Sequence, residues 1–366
     1  MSLKEQVETK RNEIHTDAYP MSIGEIINLY TEGDLDIHPE FQRIYRWNNI
    51  QKSKLIESIL LGIPLPSFFM AQREDGIWDV VDGLQRLSTI FSFLGLFKNE
   101  NNKLEPPLIL KGTEYLPSLE GMSWNEGENC FSKDLQRMFK REKIDLKIVK
   151  KESDEHAKYE LFQRLNTSGS SLSTQEVRNC LLVMVNKDFY EWLKELSEFQ
   201  SFKNTLIITS KQYDEQYHLE LMLRFLILIN YLDAEMPKIS SISEFITTKV
   251  KEFALDDTYD RNTAQQKFEK TFSLLDKALN EDSFRKYKEA RYTGGFSLLF
   301  FEVIAIGLGR VIDKYDSENQ AHIDKIKNIS MNLCENETYI EYSSPKYKVP
   351  SRLPHLLSLG KELFEL

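Results

Sequence analysis

The stretch IWDVVDGLQRLSTIFSFLGLF, residues 77–97, contains the side chains of this chain best suited to chemistry. The β-forming run Ile77 to Val81 precedes apolar residues at helical spacing, so the pattern predicts a strand that leads into a helix. Between the two lie Asp82, Gly83, Gln85 and Arg86. A tight turn at Gly83 would aim backbone N–H groups and the positive helix end at one point, which suits an anion. Arg86 would add a planar donor for phosphate.

The same residues also admit a structural interpretation. Asp82 as helix N-cap and Gln85 three residues later would form a capping box, and Gly83 would merely permit the turn. Arg86 is then unexplained, because the helix dipole disfavours a cation in the first turn unless an anion compensates it. Both interpretations stay open at the level of the motif.

A second candidate segment is FQRIYRW, residues 41–47. An arginine here can reach phosphate while an aromatic face stacks on a base, and the candidates for nucleotide binding are Arg43 and Trp47. The alternative is a half-buried edge strand with solvated arginines.

A third candidate segment is FQRLNTSGSSLSTQEVRN, residues 162–179. Small residues before a helix can form a backbone nest for an anion, with arginines on either side. The candidate phosphate-binding residues are Arg164, Asn166, Thr167, Gly169 and Arg178. The alternative is a serine-rich loop before a helix capped by Ser173 and Glu176.

The run Lys133 to Lys151 is strongly basic, with eight Lys/Arg against three acidic residues. One face of a predicted helix would present Lys133, Arg137, Lys140 and Arg141, which are the candidates for contacts with a nucleic-acid backbone. A solvated charged face is the alternative. Asp145-Leu146-Lys147 matches the D-x-K half of a metal-dependent nuclease motif, and the two charged side chains would share one face of a strand.

Composition and absent motifs exclude several classes of site. There is no GxxxxGKS/T motif, and the six histidines and three cysteines form no metal-ligand spacing, so no Walker-type, zinc or HNH-type centre is predicted. The hydrophobic content of 41%, charged content of 28% and net charge of −10 are those of a globular protein that is not coated in positive charge. The N-terminus lacks a signal-like apolar segment, and the longest apolar run, Phe296 to Leu308, is too short to span a bilayer. A cytoplasmic protein without membrane contact is therefore expected.

The hydrophobic pattern predicts an α/β N-terminal domain and an all-helical C-terminal domain, with the boundary near residues 185–205. The predicted strands are Asp34–His38, Ser67–Ala71, Ile77–Val81 and Ile144–Val149. The predicted helices of the sheet domain are Ser22–Tyr30, Asn49–Leu61, Leu84–Phe97, Phe131–Glu142 and Ser153–Leu165, with a long irregular excursion at Asn99–Gly127. The clearest helices of the second domain are Glu215–Leu232, Ala264–Leu279, Phe296–Ile312 and Ser317–Leu333.

Four segments in order, PEFQRIYRW, IPLPSFF, VVDGLQRLSTI and LFQRLNTSGSSLSTQEVRN, resemble the N-terminal domain of GmrSD-type modification-dependent restriction proteins. The resemblance covers roughly residues 20 to 185. It implies an α+β fold with an N-terminal extension (1–19), a mixed-sheet domain related to ParB and sulfiredoxin (20–190) and an all-helical domain (191–366). The family's Asp-Gly-Gln-Gln-Arg motif falls on Asp82, Gly83, Gln85 and Arg86, with Leu84 in place of the first glutamine.

The resemblance implies a component of a restriction or phage-defence system that binds a nucleoside triphosphate with Mg²⁺ and targets DNA, including modified DNA. Asp82, Gln85 and Arg86 would be the catalytic residues if hydrolysis occurs, which Leu84 leaves undecided. Family members that cut DNA usually have a C-terminal HNH domain, and none is recognisable here, so a partner protein or nuclease subunit is expected. The alternatives are a non-enzymatic DNA- or protein-binding regulator and, third, a stand-alone nuclease that uses Asp145 and Lys147.

Overall fold

A computed structural model describes residues 2–11, 15–37, 47–99, 102–125, 127, 129–153, 173–231 and 241–366. The chain divides into two compact units, Met1–Ser171 and Leu172–Leu366, and each is described by itself.

The N-terminal unit is an α+β unit built on a mixed sheet, as predicted. Its elements are α1 (Leu3–Arg11), β1 (Thr16–Ser22), α2 (Ile23–Glu32), β2 (Leu35–Asp36), α3 (Asn49–Leu60), β3 (Phe68–Gln72), β4 (Trp78–Asp82), α4 (Leu84–Phe93), α5 (Lys133–Arg141) and β5 (Lys143–Val149). Among the described residues the strand order is β1-β5-β3-β4-β2. The pairs β1/β5 and β3/β4 are antiparallel, whereas β2/β4 and β3/β5 are parallel.

The four helices α2 to α5 pack on one face of this sheet, and β5 shows why. Its residues alternate, with Ile144, Leu146 and Ile148 buried in the core and Lys143, Asp145 and Lys147 exposed on the other face. A two-residue period with one apolar face specifies both the strand and the side that the helices cover. Each fully buried side chain of this kind contributes about 1.5–3 kcal/mol to stability.

The edge strand β1 is not predicted by the sequence pattern. Its segment, TDAYPMS, lacks apolar alternation, and five of its seven residues are exposed. It pairs with β5 along its whole length, from Thr16 opposite Val149 to Ser22 opposite Lys143. Edge strands accept polar residues and proline because one side of the strand faces no partner, so hydrophobic patterning cannot detect them.

Helix α4 ends earlier than predicted, at Phe93 instead of Phe97. Gly95 adopts a left-handed conformation (φ 72°), which terminates the helix. The excursion that follows is irregular in its described part, as predicted, apart from a 3₁₀ turn at Pro117–Leu119. It is anchored to α3 because the buried Glu57 carboxylate accepts hydrogen bonds from the backbone N–H groups of Tyr115 (3.2 Å) and Leu116 (3.1 Å).

The C-terminal unit is helical, as predicted, apart from one short hairpin. Its elements are α6 (Thr174–Val185), α7 (Lys187–Ser197), α8 (Gln200–Asn204), α9 (Ser210–Asp214), α10 (Tyr217–Leu228), α11 (Ile242–Leu255), α12 (Arg261–Leu279), β6 (Lys286–Lys288), β7 (Arg291–Thr293), α13 (Leu298–Val311), α14 (Gln320–Asn332), α15 (Glu337–Tyr342) and α16 (Val349–Phe364). Strands β6 and β7 form the hairpin. Glu289 and Ala290 link them with positive φ angles of 50° and 62°, which a tight hairpin turn requires.

Helix α13 is the buried centre of the C-terminal unit, as its apolar sequence predicts. Almost every residue of LLFFEVIAIGLGRV is buried, including Glu302. It crosses α16 at Gly307, where a Cβ atom would lie 2.5 Å from the carbonyl carbon of Gly360. Glycine at both positions therefore lets the two helix backbones touch. Within the part of the chain that the structure describes, no helix combines the length and the apolar character that crossing a bilayer needs.

Candidate functional site

Strand β4 leads through Gly83 directly into α4, which confirms the predicted strand–turn–helix. Gly83 has φ 102°, a left-handed conformation that other residues adopt at a cost. A Cβ atom here would also lie 2.5 Å from Cδ1 of the buried Phe68 ring. Both the backbone angle and the available space therefore demand glycine. We call residues 82–86 the Gly83 turn.

The capping-box interpretation of this turn is wrong. The N-cap of α4 is Gly83, and within the described residues the helix has no side-chain cap. Asp82 lies one residue too early to cap, because the left-handed glycine occupies the position before the helix. Its Oδ1 instead accepts a hydrogen bond from the N–H of Gly83 at 2.8 Å. An N-terminus without a side-chain cap keeps the geometry by which helix ends bind anions.

Arg86 is held by groups of the protein itself. Its guanidinium donates to the carbonyl oxygens of Pro66 and Ser67 and lies 3.2 Å from Asp82 Oδ2. It also lies 4.2 Å from the centre of the Phe68 ring. Burial lowers the pKa of Arg86, and the charge of Asp82 opposes this shift. The anion that compensates a cation in the first helical turn is therefore Asp82.

The accessibility of the two charges differs. Arg86 is only 9% exposed, whereas the Asp82 side chain is 38% exposed. A ligand at the surface of the turn therefore meets the Asp82 carboxylate and the helix end first. Arg86 ties the loop before β3 to the turn and so keeps Asp82 in place.

Gln85 links the Gly83 turn to the second candidate segment. Its Oε1 accepts a hydrogen bond from the backbone N–H of Trp47 at 3.3 Å. Trp47 itself is half-buried against the core of the N-terminal unit. This hydrogen bond places the Trp47 backbone beside the Gly83 turn.

A partly buried ion-pair cluster holds β2 in place, although the pairing of β2 with β4 covers only two residues. Arg73 donates to Asp79 Oδ2 at 2.8 Å and to Asp36 Oδ2 at 2.7 Å, and Asp79 is fully buried. Burial alone would lower the pKa of Arg73, but the two carboxylates outweigh it and raise that pKa. The sequence patterns did not indicate this cluster, because its members belong to three different segments.

Several predicted residues lie outside the described residues. These are Arg43 of the second segment, and Arg164, Asn166, Thr167 and Gly169 of the third. Nearly all of the predicted helix Ser153–Leu165 lies outside them too.

Arg178 is a buried residue of the C-terminal unit. It is 1% exposed, and its guanidinium donates to Thr247 Oγ1 at 3.1 Å and to Ser243 Oγ at 3.3 Å, both on α11. The predicted capping box at the start of α6 is confirmed, with Ser173 and Glu176 bonded reciprocally. Arg178 thus connects α6 to α11 within the C-terminal unit, and among the described residues it does not line an anion site.

The four basic residues that were predicted to share one face of α5 do lie on the protein surface. These residues, Lys133, Arg137, Lys140 and Arg141, are all exposed. Arg137 pairs with Asp134 one turn away, and Lys133 donates to Gln136 at 3.2 Å. These contacts are local to the helix, so the face remains accessible to a polyanion.

Sequence reasoning missed the groups that support Arg86. The carbonyl oxygens of Pro66 and Ser67 and the Phe68 ring come from the segment IPLPSFF, which belongs to the family resemblance but contains no charged residue. The available signal was its two prolines, which favour extended backbone without helical hydrogen bonds. The prolines indicate that backbone carbonyl groups of this segment are available as acceptors, but they do not indicate which side chain donates to them.

The strand–turn–helix, its uncapped helix end and the four family segments agree with one comparison. Residues 23–183 match the family model described as "GmrSD restriction endonuclease, N-terminal domain". No curated protein and no solved structure matches the chain. The matched range contains every strand of the five-stranded sheet except β1, and it ends within α6. Such a domain indicates a component of a restriction or defence system. Residues 23–183 therefore form a domain of the GmrSD restriction endonuclease N-terminal family.

Proposed function

We propose that the N-terminal unit binds a nucleoside triphosphate with Mg²⁺ at the Gly83 turn, as the nucleotide-binding component of a DNA-targeting restriction or phage-defence system. One observation carries this proposal. The left-handed Gly83 starts a ten-residue helix that has no described side-chain cap, directly after the half-exposed carboxylate of Asp82. An uncapped helix end favours phosphate, and a carboxylate beside it suits the Mg²⁺ that accompanies phosphate.

Different residues of the turn would have different roles in such a site. The N–H groups at the start of α4 would bind phosphate. Asp82 would hold the metal ion, which would neutralise the clustered phosphate charge. Arg86 keeps Asp82 and the loop before β3 together through its contacts with Pro66 and Ser67. Gln85 holds the backbone of Trp47, whose ring is a candidate surface for stacking of a base.

Binding is better supported than hydrolysis. Leu84 occupies the position where the family motif has its first glutamine, and its side chain packs against the apolar core. A leucine can neither orient water nor donate a hydrogen bond to phosphate. We therefore propose a nucleotide-dependent sensor or regulator with a ParB/sulfiredoxin-like domain, which acts on DNA through a separate nuclease subunit.

Calorimetric titration of the native chain with ATP, GTP, CTP and UTP, each with Mg²⁺, tests the proposal. We expect binding of at least one triphosphate and an affinity about tenfold lower for Asp82→Asn, because a metal–carboxylate contact is lost. The matched control is Glu74→Gln, which removes an exposed carboxylate from the opposite end of the β3–β4 hairpin and leaves the affinity unchanged. Stability should fall by about 1–2 kcal/mol in Asp82→Asn, because the buried Arg86 guanidinium loses its counter-ion but keeps the carbonyl oxygens of Pro66 and Ser67. Absence of binding by the native chain, or equal affinity in Asp82→Asn, contradicts the proposal.

A second candidate function is direct binding of DNA by the basic face of α5, supported by the exposure of its four basic residues. Such binding would need no nucleotide and would weaken steeply with salt. The variant Lys140→Gln/Arg141→Gln is then expected to reduce the slope of log K against log salt by about two. The control Lys286→Gln/Lys288→Gln removes two exposed charges from the β6–β7 hairpin and leaves the slope unchanged. Fluorescence anisotropy with labelled duplex DNA measures the affinity at each salt concentration. Binding that does not depend on salt would exclude this role of α5.

A further inference from the structure

Three side chains form a row across the sheet that ends at the Gly83 turn. Phe69 on β3 pairs with Lys147 on the parallel strand β5 and with Asp82 on the antiparallel strand β4. Directly paired residues of neighbouring strands place their side chains on the same face. The neighbours Phe68 and Leu146 point to the other face and are buried in the helix-covered core. The row therefore lies on the face opposite the helices, and we call it the Lys147 row.

A register shift explains how Asp82 joins this row. Met70 pairs with Val80, but the next residue back along β3, Phe69, pairs with Asp82, so Val81 is an extra residue in β4. An inserted residue of this kind is a β-bulge, and it changes the face to which the following side chain points. Without the bulge, Asp82 would continue the alternation of Val80 toward the core. The bulge thus places Asp82 in register with Phe69 and Lys147.

Lys147 is the accessible cation of this arrangement. Its side chain is exposed, and its Nζ lies 5.2 Å from the centre of the half-buried Phe69 ring. A cation–π contact of this length holds the ammonium over β3, the strand next to the turn. Arg86, by contrast, is buried and donates to backbone carbonyls and to Asp82.

The spacing of the row determines which ligand can use it. Neighbouring strands lie about 4.8 Å apart, so the backbones of Lys147 and Asp82 are separated by about 10 Å. The ammonium lies between these two backbones, over the Phe69 ring, so a chain of phosphates that starts at the helix end can extend across β3 to it. Asp145 lies on the same exposed face two residues before Lys147 and repels phosphate from that side. The ammonium therefore attracts a polyphosphate that extends from the turn.

We propose that Lys147 binds the distal phosphate of the nucleotide, with Phe69 as the ring that positions its ammonium, and that the site consequently selects polyphosphates over monophosphates. This inference rests on the proposed nucleotide binding at the Gly83 turn. It also gives a role to the Asp145-Leu146-Lys147 pattern, whose two charged side chains share a face as predicted.

The test compares two lysines of one strand. Calorimetric titrations with Mg²⁺-ATP, with the other three triphosphates, and with inorganic tripolyphosphate are run on native protein, Lys147→Ala, Lys147→Arg and the control Lys143→Ala. Lys143 is exposed on the same face of β5 but lies four residues from the row. We expect Lys147→Ala to weaken triphosphate and tripolyphosphate binding about tenfold or more, with Lys143→Ala near the native affinity and Lys147→Arg between the two. AMP, titrated in parallel as the monophosphate, should bind native protein and Lys147→Ala equally weakly.

The outcomes separate this inference from the proposed function. Equal triphosphate affinity in native protein and Lys147→Ala overturns the role of Lys147 while leaving nucleotide binding intact. An equal loss in Lys143→Ala and Lys147→Ala shows a general charge effect and also overturns it. Absence of any binding by native protein overturns the proposed function itself. The circular dichroism spectrum and the thermal midpoint of all three lysine variants are expected to match those of native protein, because both lysines are exposed. The variant Phe69→Leu tests the role of the ring independently, and we expect it to lose less triphosphate affinity than Lys147→Ala.

Discussion

The Gly83 turn and the middle of helix α13 share two features, a tightly packed glycine and a buried charged side chain. Each contains a glycine that leaves no room for a Cβ atom, since the nearest atom would lie 2.5 Å away, in Phe68 and Gly360 respectively. Each also contains a buried charged side chain, Arg86 at the turn and Glu302 in α13. Tight packing and a buried charge are therefore shared by both regions.

The two regions differ in access to solvent. At the turn, Arg86 has a carboxylate partner, Asp82, that is 38% exposed. In α13, Glu302 is fully buried, its nearest cation is Arg224 at 3.5 Å, and no described residue donates a hydrogen bond to its Oε2. A glycine beside a buried charge thus does not identify a binding site. The half-exposed partner at the turn can meet a ligand, whereas Glu302 can only affect folding.

The largest effect is expected from Gly307→Ala. The new methyl group would collide with the backbone of Gly360, which no side-chain rotation can relieve, so the unfolding free energy of the C-terminal unit should fall by about 3 kcal/mol. The control is Gly295→Ala, where the structure leaves open space around the added Cβ and a change within about 0.5 kcal/mol is expected. Urea unfolding followed by circular dichroism measures both, and a small loss in Gly307→Ala would contradict the close crossing of α13 and α16.

Gly83→Ala should cost less in stability but should also abolish triphosphate binding. The left-handed angle and the contact with Phe68 together cost about 2 kcal/mol, because the ring can shift slightly. Gly33→Ala separates the two causes, since Gly33 has φ 89° but no atom within 4 Å of the added Cβ, and about 1 kcal/mol is expected there. Urea unfolding and calorimetry are the measurements. If Gly83→Ala loses no more stability than Gly33→Ala, the contact with Phe68 is unimportant.

Glu302→Gln should have the smallest effect and should change the pH dependence of stability. Burial raises the pKa of Glu302 above its ordinary value of 4.5, against the opposing charges of Arg224 and Arg352. A carboxyl with a raised folded-state pKa contributes stability that is fully present below pH 4.5 and is lost as the pH rises through the folded-state pKa. Glutamine does not ionise, so at pH 8 the variant should be more stable than native protein, with little difference near pH 4.5.

Thermal unfolding from pH 4.5 to pH 8 checks this prediction, with the exposed Glu281→Gln as control. A variant that is less stable than native protein at pH 8 would show that the ion pair with Arg224 outweighs the burial of Glu302. The contrast between the two regions would then be weaker, because the buried charge of α13 would stabilise the fold as the Asp82–Arg86 pair does.

Local signals predicted most of the elements correctly. The apolar alternation of β5, the glycine after β4 and the capping box at Ser173 are properties of a few consecutive residues, and the structure confirms each one. The polar edge strand β1 was missed, because it is defined only by its pairing with β5. The capping box at Asp82 was wrong, because one left-handed residue moved the helix start by one position.

The sequence by itself determined that a strand, a glycine and a helix follow one another at residues 78–93, because periodicity and backbone preference act over neighbouring residues. Only the tertiary structure decided what the charged residues of this turn do. Arg86 meets the carbonyl groups of Pro66 and Ser67, and a bulge in β4 aligns Asp82 with Phe69 and Lys147. Strand register and the partners of a buried guanidinium depend on residues far apart in the chain, and no local pattern specifies them.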